Sequence, residues 1–200
     1  MNKGLVVFGG SFDPPHLGHL IIGRWAFEDL GLPVHFIPVG SPVHKDGVSP
    51  PGHRLEMLKI ALQGQVGFVL DYTEIFSQQP NYSIDTLKRI ALKHDLNPWE
   101  LFFMVGGDSV LALDSWYKPQ EIGRLATLVI VSRDGQQEEA LLDSCRRAGI
   151  LRAHLARPPR IDISSSLVRN RVRQSKPIDL LVPPGVWQYI IKHKLYCRLT

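Results

Sequence analysis

Short runs of apolar, β-branched and aromatic residues recur along the chain, each followed by a longer amphipathic stretch, and this alternation constrains the fold most. The runs are GLVVF (4–8), VHFIPV (34–39), VGFVLDY (66–72), ELFFMVG (100–106), TLVIVS (127–132) and, less clearly patterned, RAHLA (152–156). Most are apolar at successive rather than alternate positions. That marks strands buried on both faces, as parallel strands under two layers of helices are. Helices are expected between them at 15–30, 53–63, 83–94, 108–113 with a continuation to 125, and 137–148. Ser83 suits the N-cap of the third, with Asp85 beside the positive end of its dipole. Beyond Ile163 the pattern is helical only, in SSLVRNRVRQ and PGVWQYIIKHKLY.

The expected fold is therefore α/β: a Rossmann-like doubly wound, mostly parallel sheet with helices on both faces and a small C-terminal helical lobe. Two hundred residues, 44% hydrophobic and 21% charged, suit a single domain over 1–200, with the sheet core in about 1–163 and the helical part in about 164–200. No apolar run reaches membrane-spanning length and no signal peptide is read, so a cytoplasmic location is expected. Cys145 and Cys197 lie far apart without metal-ligand spacing and read as reduced thiols. Trp25, Trp99 and Trp187 are read as packing residues. The oligomeric state stays open, a homo-oligomer included.

The net charge of +4 is unevenly spread, because residues 145–176 are densely basic and hold Asp162 as their single acid. Such a face anticipates phosphate. No nucleic-acid module or aromatic-interleaved basic motif accompanies it, so polymeric nucleic acid is not expected.

In an open parallel sheet, ligands bind beyond the carboxyl ends of the strands, and the loop after the first strand lies there. That loop reads GGSFDPPHLGHL (9–20). Gly9 and Gly10 allow positive φ and a close backbone approach, Asp13 can cap the next helix, and Pro14 or Pro15 suits a first helical turn. His16 and His19, three apart, can point at one anion from a helix start. No further His, Cys or acid at suggestive local spacing completes a zinc site with them, so no metal ligand is assigned. The G-x-G-x-x-G and Walker patterns are both absent.

GGSFDPPHLGHL resembles the (H/T)xGH signature of the nucleotidylyltransferases. ISSSLVR (163–169) resembles their second signature, I-S-x-[ST]-x-x-R. Between them, SPVHKDGVSPPGHRLEML, DYTEIFSQQPNYSIDTL, MVGGDSVLALDSWYKPQEI and VIVSRDG resemble the bacterial nicotinate mononucleotide adenylyltransferases over essentially the whole chain. The resemblance implies transfer of AMP from ATP to nicotinate mononucleotide, giving deamido-NAD and pyrophosphate. It implies catalytic roles for His16, His19, Lys45 and Arg169. It also implies ATP contacts at Gly9, Gly10, Ser11, Phe12, Gly18, Gly106, Asp108, Ser164 and Ser166, and mononucleotide contacts at Tyr82, Thr86, Trp116, Tyr117 and Arg133. Mg2+ is implied with the triphosphate, held largely by substrate phosphates rather than by a protein cage. Three alternatives remain open at this point: an enzyme preferring nicotinamide mononucleotide, one preferring phosphopantetheine, and a non-catalytic nucleotide- or RNA-binding module.

Overall fold

A computed structural model of the chain describes residues 3–40, 47–77, 81–132 and 137–197. In chain order its elements are β1 (Leu5–Gly10), α1 (Leu17–Leu30), β2 (Val34–Pro38), α2 (Pro51–Leu62), β3 (Phe68–Leu70), α3 (Ser83–Lys93), β4 (Leu101–Gly106) and α4 (Gly107–Leu111). A 3-10 turn at Leu113–Ser115 follows, then α5 (Pro119–Leu125), β5 (Thr127–Val131), α6 (Glu138–Arg147), β6 (Ala153–Ala156), α7 (Ser165–Arg173) and α8 (Pro184–Lys192).

The six strands form one sheet in the order β3-β2-β1-β4-β5-β6, and every pairing is parallel. The chain winds outward from β1 to β3, returns to the centre at β4, and winds outward again to β6. The reversal between β1 and β4 opens a crevice at their carboxyl ends.

Side chains of each strand alternate between two apolar layers. Val6, Phe36, Val129 and Val131 join α1, α2, α7 and α8 on one face, whereas Leu5, Val7, Leu128 and Ile130 join α3, α4, α5 and α6 on the other. Helix α3 shows why such segments are helical: Ile84, Leu87 and Ile90 recur every three residues and are fully buried. Each contributes about 1.5–3 kcal/mol through burial. The C-terminal helices share the first layer through Val168, Val186 and Ile190, so the lobe packs directly on the sheet core.

The structure corrects several local expectations. Helix α1 starts at Leu17 with His16 as N-cap, so Pro14 and Pro15 precede it, and the Asp13–Pro14 peptide is cis. Tyr82, in extended conformation, caps α3, and Ser83 is its first helical residue. The helix expected from 108 to 125 is broken: Lys118 adopts φ 53° and Pro119 starts a fresh helix, where its missing N–H costs nothing. Trp25, Trp99 and Trp187 are 41%, 67% and 36% exposed, so none is a core residue. Cys145 is buried, Cys197 is exposed, and both are free thiols. Among the described residues no helix is long and apolar enough to cross a membrane.

Candidate active site

The crevice at the carboxyl end of β1 and β4 is a cleft of about 840 Å³. The loop after β1 forms one wall and residues 157–166, with Arg169, form the other. Gly9, Gly10, Ser11, Phe12, His16, His19, Gly106, Ser164, Ser166 and Arg169 all line it. The two signature segments, about 150 residues apart in sequence, therefore face one another across one cavity.

The first wall is rigid for identifiable reasons. Phe12, rather than Gly9 or Gly10, takes the left-handed backbone conformation (φ 47°), and its ring is buried against Phe8, Phe36 and the His19 ring. Packing holds a conformation that costs a non-glycine residue roughly 1–2 kcal/mol. Gly10 gives the Phe12 ring room, since a Cβ there would lie 3.1 Å from it and the packed ring would have to give way. The His16 and His19 rings stack with centroids 3.7 Å apart. The His16 backbone N–H donates to His19 Nδ1 at 3.2 Å, which places the proton of a neutral His19 ring on Nε2. Gly18 does not line the cleft itself; a Cβ there would meet the His16 ring at 2.9 Å and Ile161 at 3.3 Å, so its role is to admit both.

Asp13 joins the walls instead of capping α1. Its buried carboxylate accepts from the Ser49 N–H at 3.1 Å and from the Tyr196 hydroxyl at 2.7 Å, while its carbonyl accepts from Arg169 at 2.7 Å. The Ser165 hydroxyl donates to the Pro14 carbonyl at 2.9 Å, a second link from α7 to the loop. Ser164 caps α7, accepting from the Leu167 N–H at 3.1 Å. Arg169 also donates to Ser166 Oγ at 3.2 Å, which holds its guanidinium at the cleft. Burial, and then the charge of Asp13, push the Tyr196 hydroxyl well above its ordinary pKa, so it serves as a neutral donor.

Beneath the loop lies Arg54, 1% exposed. Its guanidinium donates to the carbonyls of Ser49 (2.9 Å), Ser11 (2.9 Å), Val39 (2.6 Å) and Gly40 (2.9 Å). Burial draws its pKa down, and the neighbouring charge of Asp13 opposes this. One side chain thus fixes the ends of β1 and β2 and the segment entering α2.

The two helix starts at α1 and α7, two imidazoles and a forked guanidinium are groups that favour an anion. Tyr82, Thr86, Trp116 and Tyr117, expected to contact a mononucleotide, form a separate group outside the cleft lining. Tyr82 and Tyr117 pair their rings at 4.6 Å, both exposed; Trp116, next in the chain, is half-buried against Phe103. Thr86 is buried, and its hydroxyl donates to Glu74 and contacts the Tyr82 carbonyl. Burial raises the Glu74 pKa, against hydrogen bonds from Thr86 and Asn81. Asp108 stands exposed in the first turn of α4, outside the cleft lining. Lys45 and Arg133 lie outside the described residues.

The cytidylyltransferase-like family matches residues 7–171, from β1 through the arginine of the second signature. The chain belongs to this family. Among cytidylyltransferase-like relatives, a probable nicotinate-nucleotide adenylyltransferase of Dehalococcoides mccartyi is 42% identical over 199 residues, covering 96% of each chain. The nicotinate-nucleotide adenylyltransferase of Bacillus subtilis is 32% identical over 197 residues, covering 97% of this chain and 98% of its own. A solved structure of similar fold is the Plasmodium falciparum nicotinic acid mononucleotide adenylyltransferase complexed with NaAD, with TM-score 0.78, 21% identity and 97% of each chain covered.

Asp13, Arg54, Ser165 and Tyr196 carry site geometry that the sequence reading did not assign. For Arg54 a signal existed: it occupies the stripe of Met57, Leu58 and Ala61, where an arginine among buried positions demands partners. For Tyr196, a long-range contact from the chain's end, there was none.

Proposed function

We infer that the protein is an adenylyltransferase that moves AMP from ATP to nicotinate mononucleotide, forming deamido-NAD and releasing pyrophosphate. The observation that carries this reading is the meeting of both signature segments on opposite walls of one cleft, tied together through Asp13 and Arg169. The full-length similarity to nicotinate-nucleotide adenylyltransferases of two bacteria supports the substrate pair.

A phosphate oxygen of the mononucleotide attacks the α-phosphorus, the new P–O bond forms, and the bond to the β-phosphate's bridging oxygen breaks. No protein nucleophile is required, so the chain's contribution is positioning and charge stabilisation. The His19 and His16 rings and Arg169 are proposed to hold the triphosphate, with Lys45 as a further cation. Gly9, Gly10, Ser11, Phe12, Ser164 and Ser166 shape its seat, Gly18 lets the His16 ring close in, and Gly106 and Asp108 are proposed for the adenosine. Trp116 and Tyr117 are proposed to cover the pyridine ring, with Tyr82, Thr86 and Arg133 toward its carboxylate and phosphate.

Among the described residues the one group of three potential metal ligands lies outside the cleft lining. We propose Mg2+, held by phosphate oxygens and water, where it would neutralise phosphoryl charge. The whole chain, 1–200, is proposed to act as one unit, in the cytoplasm, which its free thiols suit.

Pyrophosphate release tests the reading, with ATP and either nicotinate mononucleotide, nicotinamide mononucleotide or phosphopantetheine as acceptor. Preferred turnover of nicotinate mononucleotide is expected. Turnover of another acceptor alone reassigns the substrate, and no turnover of any overturns the enzyme. Salt-dependent oligonucleotide binding without turnover would support the binding-module alternative.

A further inference from the structure

On the sheet face away from α1 and α2, three chemistry-bearing side chains converge that the reaction above does not use. His35 sits in β2, where it pairs with Val7 and Val69; Asp71 follows β3; His94 is the C-cap of α3. Each offers a ligand atom, and these atoms lie within 4.8 Å of one another. This is the one such group of three among the described residues.

Two further observations point to a missing partner. His35 and Asp71 are buried, with side chains 8% and 2% exposed, and His35 Nδ1 faces Asp71 Oδ2 at 3.5 Å, within ion-pair distance but without hydrogen-bond geometry. His94 Nε2 is also buried without a hydrogen-bond partner. Two such imidazole nitrogens beside one carboxylate are unusual, because buried polar atoms are nearly always satisfied. Asp71 itself is anchored: its N–H donates to the Phe36 carbonyl at 3.0 Å, and Oδ1 accepts from the Thr73 N–H at 2.8 Å. Its other oxygen, Oδ2, accepts from Lys93 at 2.9 Å. The Lys93 side chain is 54% exposed and can swing into water.

We propose that His35, Asp71 and His94 bind a divalent transition metal, with zinc the best match. Two imidazoles and one carboxylate suit Zn2+ far better than Mg2+ or Ca2+, which prefer all-oxygen sites. Tetrahedral zinc with bonds near 2.0–2.1 Å sets its ligand atoms about 3.3 Å apart, so the three must draw in by at most roughly 1.5 Å. His94, half-buried at a helix end, is free to move that far. Lys93 leaves as the metal arrives, and water completes the shell. The metal clips the end of α3 to β2 and β3, so its effect is on stability rather than on the phosphoryl chemistry. The sequence offers no spacing motif for this site because its ligands come from three separate elements.

The test uses the full chain, stripped with chelator and titrated with Zn2+, and separately with Co2+. One zinc per chain is expected, with tetrahedral Co2+ absorption and, at zinc about 100-fold above Kd, a Tm rise of roughly 5–10 °C. His94→Ala, at a half-buried helix end, should fold and lose all three responses. His193→Ala, which breaks the ring contact between His53 of α2 and the C-cap of α8 on the other sheet face, should keep them. Lys93→Gln removes the cation competing for Asp71 and should tighten zinc binding several-fold. Absence of saturable zinc uptake at micromolar concentration, responses that persist in His94→Ala, or weaker binding in Lys93→Gln would overturn the site.

Discussion

Replacing Arg54 with methionine keeps most of the side-chain volume and deletes the donors that hold the cleft's floor. Four carbonyls, of Ser11, Val39, Gly40 and Ser49, lose an N–H donor at once. A buried acceptor left without a partner costs about 1–3 kcal/mol. Ser11 and Ser49 are half-buried, so water replaces part of what they lose, whereas Gly40 is buried. Asp13 also loses a neighbouring positive charge. The sum is roughly 3–5 kcal/mol, corresponding to a Tm fall of about 10 °C in a chain of this size. Thermal unfolding followed by circular dichroism measures the fall. Activity assayed well below each Tm then reads the loosened loop separately. Arg54→Lys keeps the charge without the fork, so its Tm should fall between the other two. A methionine variant within about 2 °C of the parent protein would refute the reasoning, because the carbonyls would then not depend on Arg54.

His19→Ala should lower kcat roughly 10²–10³-fold, with a stability loss of about 1–3 kcal/mol from the lost acceptor of the His16 N–H and the lost ring contact with Phe12, and full activity would remove His19 from the reaction. Tyr196→Phe deletes the hydroxyl that donates to Asp13, with an expected loss of about 1–3 kcal/mol in denaturant unfolding; no loss would show that the C-terminal turn does not anchor the loop. Burial raises the Glu74 pKa in the fold, so its contribution to stability is full below the unfolded value near 4.3 and is lost as pH rises through the folded value. The stability of Glu74→Gln relative to the parent should therefore climb with pH across that window, and a flat difference would contradict the burial argument. In the native protein a thiol reagent should modify Cys197 quickly and Cys145 only on unfolding, since Cys145 is buried and its pKa is raised by that burial. Equal rates would contradict the packing around α6.

The inner strands were legible because a parallel strand buried on both faces leaves a continuous apolar run, whereas β3 and β6 lie at the sheet edges, only partly buried, and the run that became β6 was accordingly less clearly patterned. Local starts and stops were less legible. Asp13 looks like a helix cap in sequence, yet the cap falls to His16 because the Asp13 carboxylate is engaged by Ser49 and Tyr196, partners remote in the chain. Gly9 and Gly10 suggested the left-handed turn that Phe12 adopts, since ring packing rather than residue type decides it. The two signatures were readable in the sequence, and the fold brings their residues to one cleft. The group at Tyr82, Thr86, Trp116 and Tyr117 stands apart from that cleft, and Thr86 is engaged with Glu74, a contact that spacing does not reveal.

The central claim is direct transfer of AMP between two bound nucleotides, without an intermediate on the protein. ATP labelled at the α-phosphate, mixed with nicotinate mononucleotide and excess protein in a single turnover, follows that group itself. All transferred label should appear in the dinucleotide, at the rate of pyrophosphate release and with none on the chain. Label accumulating on the protein, or passing into free AMP instead of the dinucleotide, would contradict the account.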